Sequence, residues 1–349
     1  MRLLIVGSDK IYAIENFYVK YIQEQGVEVT LFTAQDYFED YYHKNILNKL
    51  LYRAGLSRII GKVNLLFKRA VSQFKPDIVW IFKGMEIEPS SLLWLRKLGI
   101  SLVNYNPDNP FIFSGRGSGN KNIRRSLPLY DLFFTYNLQI QSRLEKDYNA
   151  KVSFLPFGFD LDNGLYQTLS ELPEKIKLCF AGNPDEERAA FISKLAEAGM
   201  DIDVYGNDWK RFINHSRVTV FPPVLGDEFW KVLRSYRVQL NLMRPHNEHS
   251  HNMRSFEVPG VGGILLAPDT REHRMFFTAN EDIFLFGNAE ECIEKIRFLL
   301  SLNANQADMI RQKARQKSLE AGYQYKGRAQ FALKEMKTLS QKSETHLIS

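Results

Sequence analysis

Two doubly wound α/β domains facing each other across a cleft are predicted for this chain, on three observations. Its 349 residues exceed what one hydrophobic core usually organises and suit two. Short apolar runs alternate with amphipathic stretches from the first residue onward, the pattern of parallel strands covered by helices. The alternation halts at a polar, turn-rich segment containing Gly164 and Pro173, then starts afresh. The expected division is residues 1–160, a linker at 161–175, a second domain at 176–325, and a C-terminal helix or tail at 326–349.

In chain order, "RLLIVG" is the first strand, and Gly7 opens a loop before a helical stretch around 14–25. "VEVTLFT" follows, then "DIVWIF" at 77–82, "SLVNYN" at 101–106 and "LFFTYN" at 132–137, with "KVSFLPFGFD" closing the first half. Between the second and third strands, Leu56, Ile60, Val63, Phe67, Ala70 and Phe74 step by three and four, which predicts an amphipathic helix with Arg58, Lys62 and Arg69 on another face. The second half reads "KLCFAGN" at 177–183, "DIDVYGN" at 201–207, "VTVFPP" at 218–223, "VQLNLM" at 238–243 and "GGILLAP" at 262–268. Helices over 185–198 and 227–236 fill two of the gaps.

Composition excludes several classes of protein. With 44% hydrophobic and 25% charged residues and no repeat, the chain is an ordinary globular protein rather than a disordered or fibrous one. "MRLLIVGSDK" is a strand and not a secretion signal, whose apolar core needs about 7 to 15 residues. No apolar run approaches the roughly 18 residues of a membrane span. Cys179 and Cys292 stand far apart in apolar settings, which points to a reducing, cytoplasmic compartment.

The net charge of +6 is unevenly spread: residues 41–76 carry eight Lys or Arg and no acid. Two readings are open, a solvated face of the helix at 57–74, or contact with anionic lipid headgroups on the inner face of the membrane or with a phosphorylated acceptor. Nucleic acid is not expected, because no DNA- or RNA-reading motif accompanies the charge.

Ligands of doubly wound sheets lie beyond the carboxyl ends of the strands. In the second half that rule selects Gly182 and Asn183, Gly206 and Asn207, the Phe221–Val224 loop with Pro223, then Arg244 and the segment leading to Glu257. In the first half it selects residues 7–10, Lys83, Gly84, residues 106–109 and Asn137. These are small, amide and cationic residues, suited to a polar phosphorylated small molecule.

"FKPDIVWIFKG", "NYNPDNP" and "YDLFFTYN…LPFGFD", followed by "CFAGNPDEERAAFI", "YRVQLNLMRP" and "HNMRSFEVPGVGGILLAPD", resemble in order and spacing a GT-B-type nucleotide-sugar glycosyltransferase, and within it the bacterial spore-maturation-like group. The resemblance spans nearly the whole chain and implies two Rossmann-like domains with the donor nucleotide on the second. It implies that Glu257 accepts hydrogen bonds from the two ribose hydroxyls, for which a two-oxygen carboxylate is suited. Gly260, Gly262 and Gly263 would let the backbone approach the ligand. Read alone, the same residues also fit the first turn of a helix and a tight turn.

Arg188 resembles the cation that neutralises the departing diphosphate, and a metal-independent enzyme must meet that charge with Arg, Lys and backbone donors. Arg244 and Arg254 are further candidates, Asn252 could hold a donor-sugar or phosphate oxygen, His249 could contact the donor sugar or stabilise its loop, and the 205–207 and 221–224 loops, with Val224, would line the base. His249 stands where many retaining relatives carry a second glutamate. His246, His249 and His251 cluster in sequence but lack a completing carboxylate or cysteine set, so no metal is expected. The "DLD" at Asp160–Asp162 reads as coincidence.

Asp108 is the candidate general base for the acceptor hydroxyl, or else a turn-forming residue. The Gly-rich 113–122 segment suggests an acceptor-gating loop. The implied activity is transfer of a sugar from a UDP-linked donor to a glycan, lipid-linked or protein hydroxyl, with no cofactor. A nucleotide-sugar epimerase or a catalytically inactive nucleotide-sugar binder are the alternatives. A dinucleotide-dependent dehydrogenase is disfavoured because "VGSDKIYAIEN" has one glycine where the fingerprint needs three.

Overall fold

The computed structural model of the chain describes residues 1–113, 119–247 and 249–346. The chain divides into two compact units, one of Met1–Pro156 with Tyr325–Ser349, the other of Phe157–Gln324. Each is built on a six-stranded parallel sheet with helices, the α/β class that the alternation predicts.

Unit 1 contains β1 (Arg2–Val6), β2 (Glu28–Phe32), β3 (Ile78–Phe82), β4 (Ser101–Tyr105), β5 (Leu132–Thr135) and β6 (Val152–Phe154), in the order β2-β1-β3-β4-β5-β6. The central strands read as unbroken apolar runs because both faces are covered. One face carries Leu4, Val6, Val79, Ile81 and Leu102 against Val63, Phe67 and Val71 of the helix Ile59–Phe74. Against the other lie Tyr18 and Trp80, whose rings meet edge to face at 4.8 Å. The final helix, Tyr325–His346, packs on the helix Glu15–Gln23, where Phe17 stacks on Tyr325 at 4.6 Å.

The predicted basic helix is the helix Ile59–Phe74, with one amendment: Leu56 precedes it and is 72% exposed. Asn120 caps the short helix Lys121–Ser126 by accepting from Asn122 N at 2.9 Å, and residues 114–118 of the Gly-rich segment lie outside the described residues.

Unit 2 contains β7 (Lys175–Ala181), β8 (Ile202–Tyr205), β9 (Val218–Phe221), β10 (Tyr236–Leu240), β11 (Leu265–Pro268) and β12 (Phe284–Phe286), in the order β12-β11-β10-β7-β8-β9. Strand order reverses between β7 and β10, the position at which doubly wound sheets leave a crevice beyond their carboxyl ends. β12 is absent from the sequence reading because three buried residues give no periodicity to detect. The segment expected as a linker holds the helix Asn163–Ser170, and Asp162 of the "DLD" is its N-cap, accepting from Gly164 N at 2.8 Å.

The amino-terminal edge of this sheet is fastened by charge. Glu174, just before β7, accepts from Nε of Arg237 on β10 at 2.7 Å and from Arg311 Nη2 on the helix Ala304–Glu320. Both arginines are buried. Burial pushes the Glu174 carboxyl up, but the two guanidiniums outweigh it and hold it below its ordinary 4.5.

Glu174→Gln should therefore strip two buried cations of their counter-charge and destabilise the protein by about 3 kcal/mol at pH 7 in denaturant titration. Because the folded value lies below the unfolded one, this stability is present above about pH 4.5 and lost as pH falls through the folded value. The difference between wild type and variant should shrink in acid, and a constant difference would contradict the ion-pair account.

Candidate functional site

Four segments of unit 2 meet at the carboxyl-terminal edge of its sheet around the β7–β10 reversal. β7 delivers Ala181, Gly182 and Asn183, and β10 runs out through Asn241 and Leu242 toward Arg244. The helix Glu186–Glu197 begins at Asp185, whose Oδ1 accepts from Arg188 N at 2.9 Å. The helix Arg254–Gly260 begins alongside, with Arg254 Nε donating to Ala181 O at 3.1 Å.

Arg188 spans the reversal. Its Nη1 donates to Asn183 O at 3.1 Å and its Nη2 to Leu242 O at 2.7 Å, so one buried guanidinium ties the exits of β7 and β10. Burial, then repulsion from Arg244 and Arg254, pulls its pKa down to about 10 against the opposing pull of Asp185. The group stays cationic at neutral pH. Arg244 is exposed and makes no hydrogen bond or ion pair through its side chain among the described residues. The edge is therefore a crowd of three arginines that an anion would relieve.

Glu257 lies one turn into the helix from Arg254, buried, with Oε2 accepting from Arg254 Nη1. Burial raises its pKa while Arg254 opposes the rise. The Arg254 guanidinium also lies 4.3 Å over the ring of Phe229, so it is held from two sides. Arg254 thus fixes one carboxylate oxygen of Glu257, and Oε1 has no hydrogen-bond partner among the described residues.

A buried polar chain positions this helix. His273 Nδ1 lies 2.9 Å from Pro268 O, which can only accept, so Nδ1 carries the proton and Nε2 accepts from Ser255 Oγ at 2.8 Å. Ser255 Oγ in turn accepts from Asn252 N at 3.2 Å and from Asn241 Nδ2 at 3.3 Å. Asn241 and Asn252 then exchange side-chain amide bonds, at 3.1 and 2.8 Å. Asn252 is thereby aimed by Asn241, just beyond β10, and by Ser255, which His273 after β11 anchors. Burial, with the neighbouring His251, pulls the His273 pKa down to about 4, so the chain is neutral in ordinary buffers.

Other predicted residues divide clearly. Asn183 Oδ1 accepts from Asn207 N at 3.0 Å, joining the β7 and β8 exits. Gly206 has to be glycine, since a Cβ there would strike Gly182 O, which already accepts from Trp209 Nε1 at 2.8 Å. Pro223 and Val224 follow β9, two strands and about 10 Å from β7, with no hydrogen bond to the arginine cluster. His249 is exposed, whereas His251 is buried with Nδ1 2.6 Å from Glu272 Oε2, so these two histidines do not converge. The side chain of His246 lies outside the described residues. Among the described residues no three His, Cys, Asp or Glu side chains group as metal ligands.

Gly262 and Gly263 follow the helix Arg254–Gly260. They enter β11 at the amino-terminal edge, with Gly263 N bonded to Val258 O at 2.8 Å and a Gly263 Cβ falling 2.9 Å from Leu233 O just ahead of β10. Gly260 likewise packs against the Phe159 ring and accepts from Arg315 through its carbonyl. Gly260 and Gly263 are closely packed there.

In unit 1, Asp108 follows β4 and accepts from Lys83 Nζ at 2.8 Å. Lys83 takes φ 60°, uncommon outside glycine, just after β3. Two carboxylates that the sequence reading passed over lie near the same edge. Burial pushes Glu15 and Glu86 up to about 7, each further raised by Asp36. A cavity of about 840 Å³ opens nearby, lined by Phe38, Tyr42 and Tyr52 with Arg53, Glu88 and Asn120 among its polar groups.

Residues 186–334 match the family model described as glycosyl transferase-like. No curated protein matches the sequence. Among solved structures the chain is similar to the sucrose-phosphate synthase of Thermosynechococcus elongatus, with a TM-score of 0.71 at 10% identity over 97% of this chain and 99% of that one. It is also similar to Anabaena HepE in complex with UDP, with a TM-score of 0.60 at 13% identity over 97% and 99%. The UDP-GlcNAc 2-epimerase from Neisseria meningitidis bound to UDP-GlcNAc gives 0.57 at 12% identity over 97% and 100%. The family match lies mostly within unit 2, and these solved structures share the fold of the whole chain.

The depressed His273 pKa makes a testable contribution to stability. Between about pH 6.5 and 4 the unfolded chain takes up a proton that the folded chain refuses, so stability falls as pH drops through that window, by up to about 3 kcal/mol. His273→Gln should flatten that part of the stability curve, and parallel curves for the two proteins would contradict the buried neutral tautomer.

Proposed function

We propose that the chain transfers a sugar from a uridine diphosphate sugar to the hydroxyl of a glycan, lipid-linked or protein acceptor without a metal ion. The observation that carries this reading is the crowding of Arg188, Arg244 and Arg254 beyond the β7–β10 reversal, beside a carboxylate whose Oε1 stands open. A nucleoside diphosphate gathers negative charge as its bond to the sugar breaks, and preorganised cations stabilise that charge most at the transition state. Arg244 and Arg254 would meet the phosphates. Arg188, with both terminal nitrogens on carbonyls, would act through the backbone it braces and through its charge.

Glu257 would receive the ribose hydroxyls and Asn252 a phosphate or donor-sugar oxygen, with His249 beside them. Gly182, Asn183, Gly206 and Asn207 would pass the nucleotide along the strand exits, and the loop of Pro223 and Val224 would flank the base. The acceptor oxygen attacks the sugar carbon, the carbon–phosphate oxygen bond breaks, and Asp108 takes the hydroxyl proton. The unit 1 cavity is the proposed acceptor pocket. The two free, buried thiols fit a cytoplasmic setting, and the motif order favours the spore-maturation-like group. An epimerase is the second reading, favoured by the Neisseria enzyme of the same fold, and analysis of whether the sugar nucleotide is epimerised or consumed separates the two.

Calorimetric titration with UDP and 2′-deoxy-UDP tests the ribose assignment. Wild type should prefer UDP by about tenfold, the loss of one charged hydrogen bond in the deoxy ligand. In Glu257→Gln, which can keep the bond from Arg254, the preference should fall to about twofold. An undiminished preference would remove Glu257 from the ribose site.

A further inference from the structure

The helix Ile46–Arg53 has none of its residues buried, although it packs beside the helix Ala34–Lys44. Its inward side is the polar and aromatic one: Asn48 Nδ2 donates to Tyr41 O at 2.8 Å, and the Tyr52 ring meets Phe38 at 4.8 Å. The outward side is aliphatic. Ile46 is 76% exposed, Leu47 59% and Leu50 53%, and at about 100° per residue these three share one face. Leu56, just beyond the helix, adds a fourth exposed aliphatic side chain. This inverts the usual arrangement of a surface helix, whose apolar stripe faces the core.

The surroundings are cationic. Lys44, Arg53, Arg58 and Lys62 are exposed on this helix and the segments flanking it in sequence, and residues 41–76 contain no acid. We propose that the helix Ile46–Arg53 with Leu56 seats in the headgroup layer of an anionic lipid bilayer. Aliphatic side chains flanked by cations match that layer, where apolar groups enter the acyl boundary and Lys or Arg meet lipid phosphates. A second copy of the chain fits less well, because the cations of one copy would face those of the other. The contact thus moves from the helix Ile59–Phe74, whose apolar side is spent in the core, to the helix before it. Tyr52 and Arg53 also line the unit 1 cavity, so docking would bring that cavity to the lipid surface. The inference rests on exposure and charge and does not depend on the glycosyltransferase reading.

Co-sedimentation with phosphatidylcholine vesicles, with and without phosphatidylglycerol, tests it. Wild type should pellet with the anionic vesicles at low salt, stay in solution with phosphatidylcholine alone, and be released as salt screens the attraction. The triple variant Ile46→Ser, Leu47→Ser, Leu50→Ser keeps the charge and should bind anionic vesicles at least about tenfold less, with an unchanged melting profile because all three positions are exposed. Lys44→Ser with Arg53→Ser should lose roughly fivefold per cation. Wild type remaining in the supernatant, or the triple variant pelleting like wild type, would overturn the proposal. So would a wild-type dimer in sedimentation velocity that the triple variant abolishes, since the face would then be a self-interface.

Discussion

The organisation of unit 2 turns on the crevice left where β7 and β10 lie side by side but their onward connections depart in opposite directions. A parallel sheet exposes strand-end carbonyls there, and something must satisfy them. Arg188 does so for both strands at once, through Asn183 O and Leu242 O. Its cost is a buried cation, with the carboxylate of Asp185 3.5 Å from Nε. With Arg254 bonded to Ala181 O, the strand exits are braced by positive charge. The bracing that shapes the crevice also suits it to an anion.

The two edges of the same sheet handle arginine differently. At the amino-terminal edge Arg237 and Arg311 share Glu174, and the result is a closed ion-pair network inside the fold. At the carboxyl-terminal edge Arg188, Arg244 and Arg254 outnumber Asp185 and Glu257. The neutral chain from His273 through Ser255 to Asn241 and Asn252 adds orientation there without adding charge. One edge holds the unit together, and the other keeps unspent charge where a ligand would arrive.

The strands were readable in the sequence because those buried on both faces are unbroken apolar runs, while the position of the reversal came only from the sheet order. β12 and the helix Asn163–Ser170 were not, being too short or too polar to show a period. The packing of Gly262 and Gly263 was not legible in the sequence either. They stand five and six residues after Glu257, and the rest of the helix Arg254–Gly260 carries the chain only about 5 Å before they pack ahead of β11. Conversely Asn241, Ser255 and His273, far apart in the chain, form one network that only the packing of three segments creates. Glu15 and Glu86 escaped notice because their unusual protonation comes from burial, which composition does not reveal.

The account stands most directly on where a nucleoside diphosphate binds. A crystal structure with UDP should show the diphosphate beyond the β7–β10 exits near Arg244 and Arg254, and both ribose hydroxyls within about 3.2 Å of the Glu257 carboxylate. UDP bound at the β1–β3 edge of unit 1, or lying in unit 2 with its ribose turned away from Glu257, would contradict it.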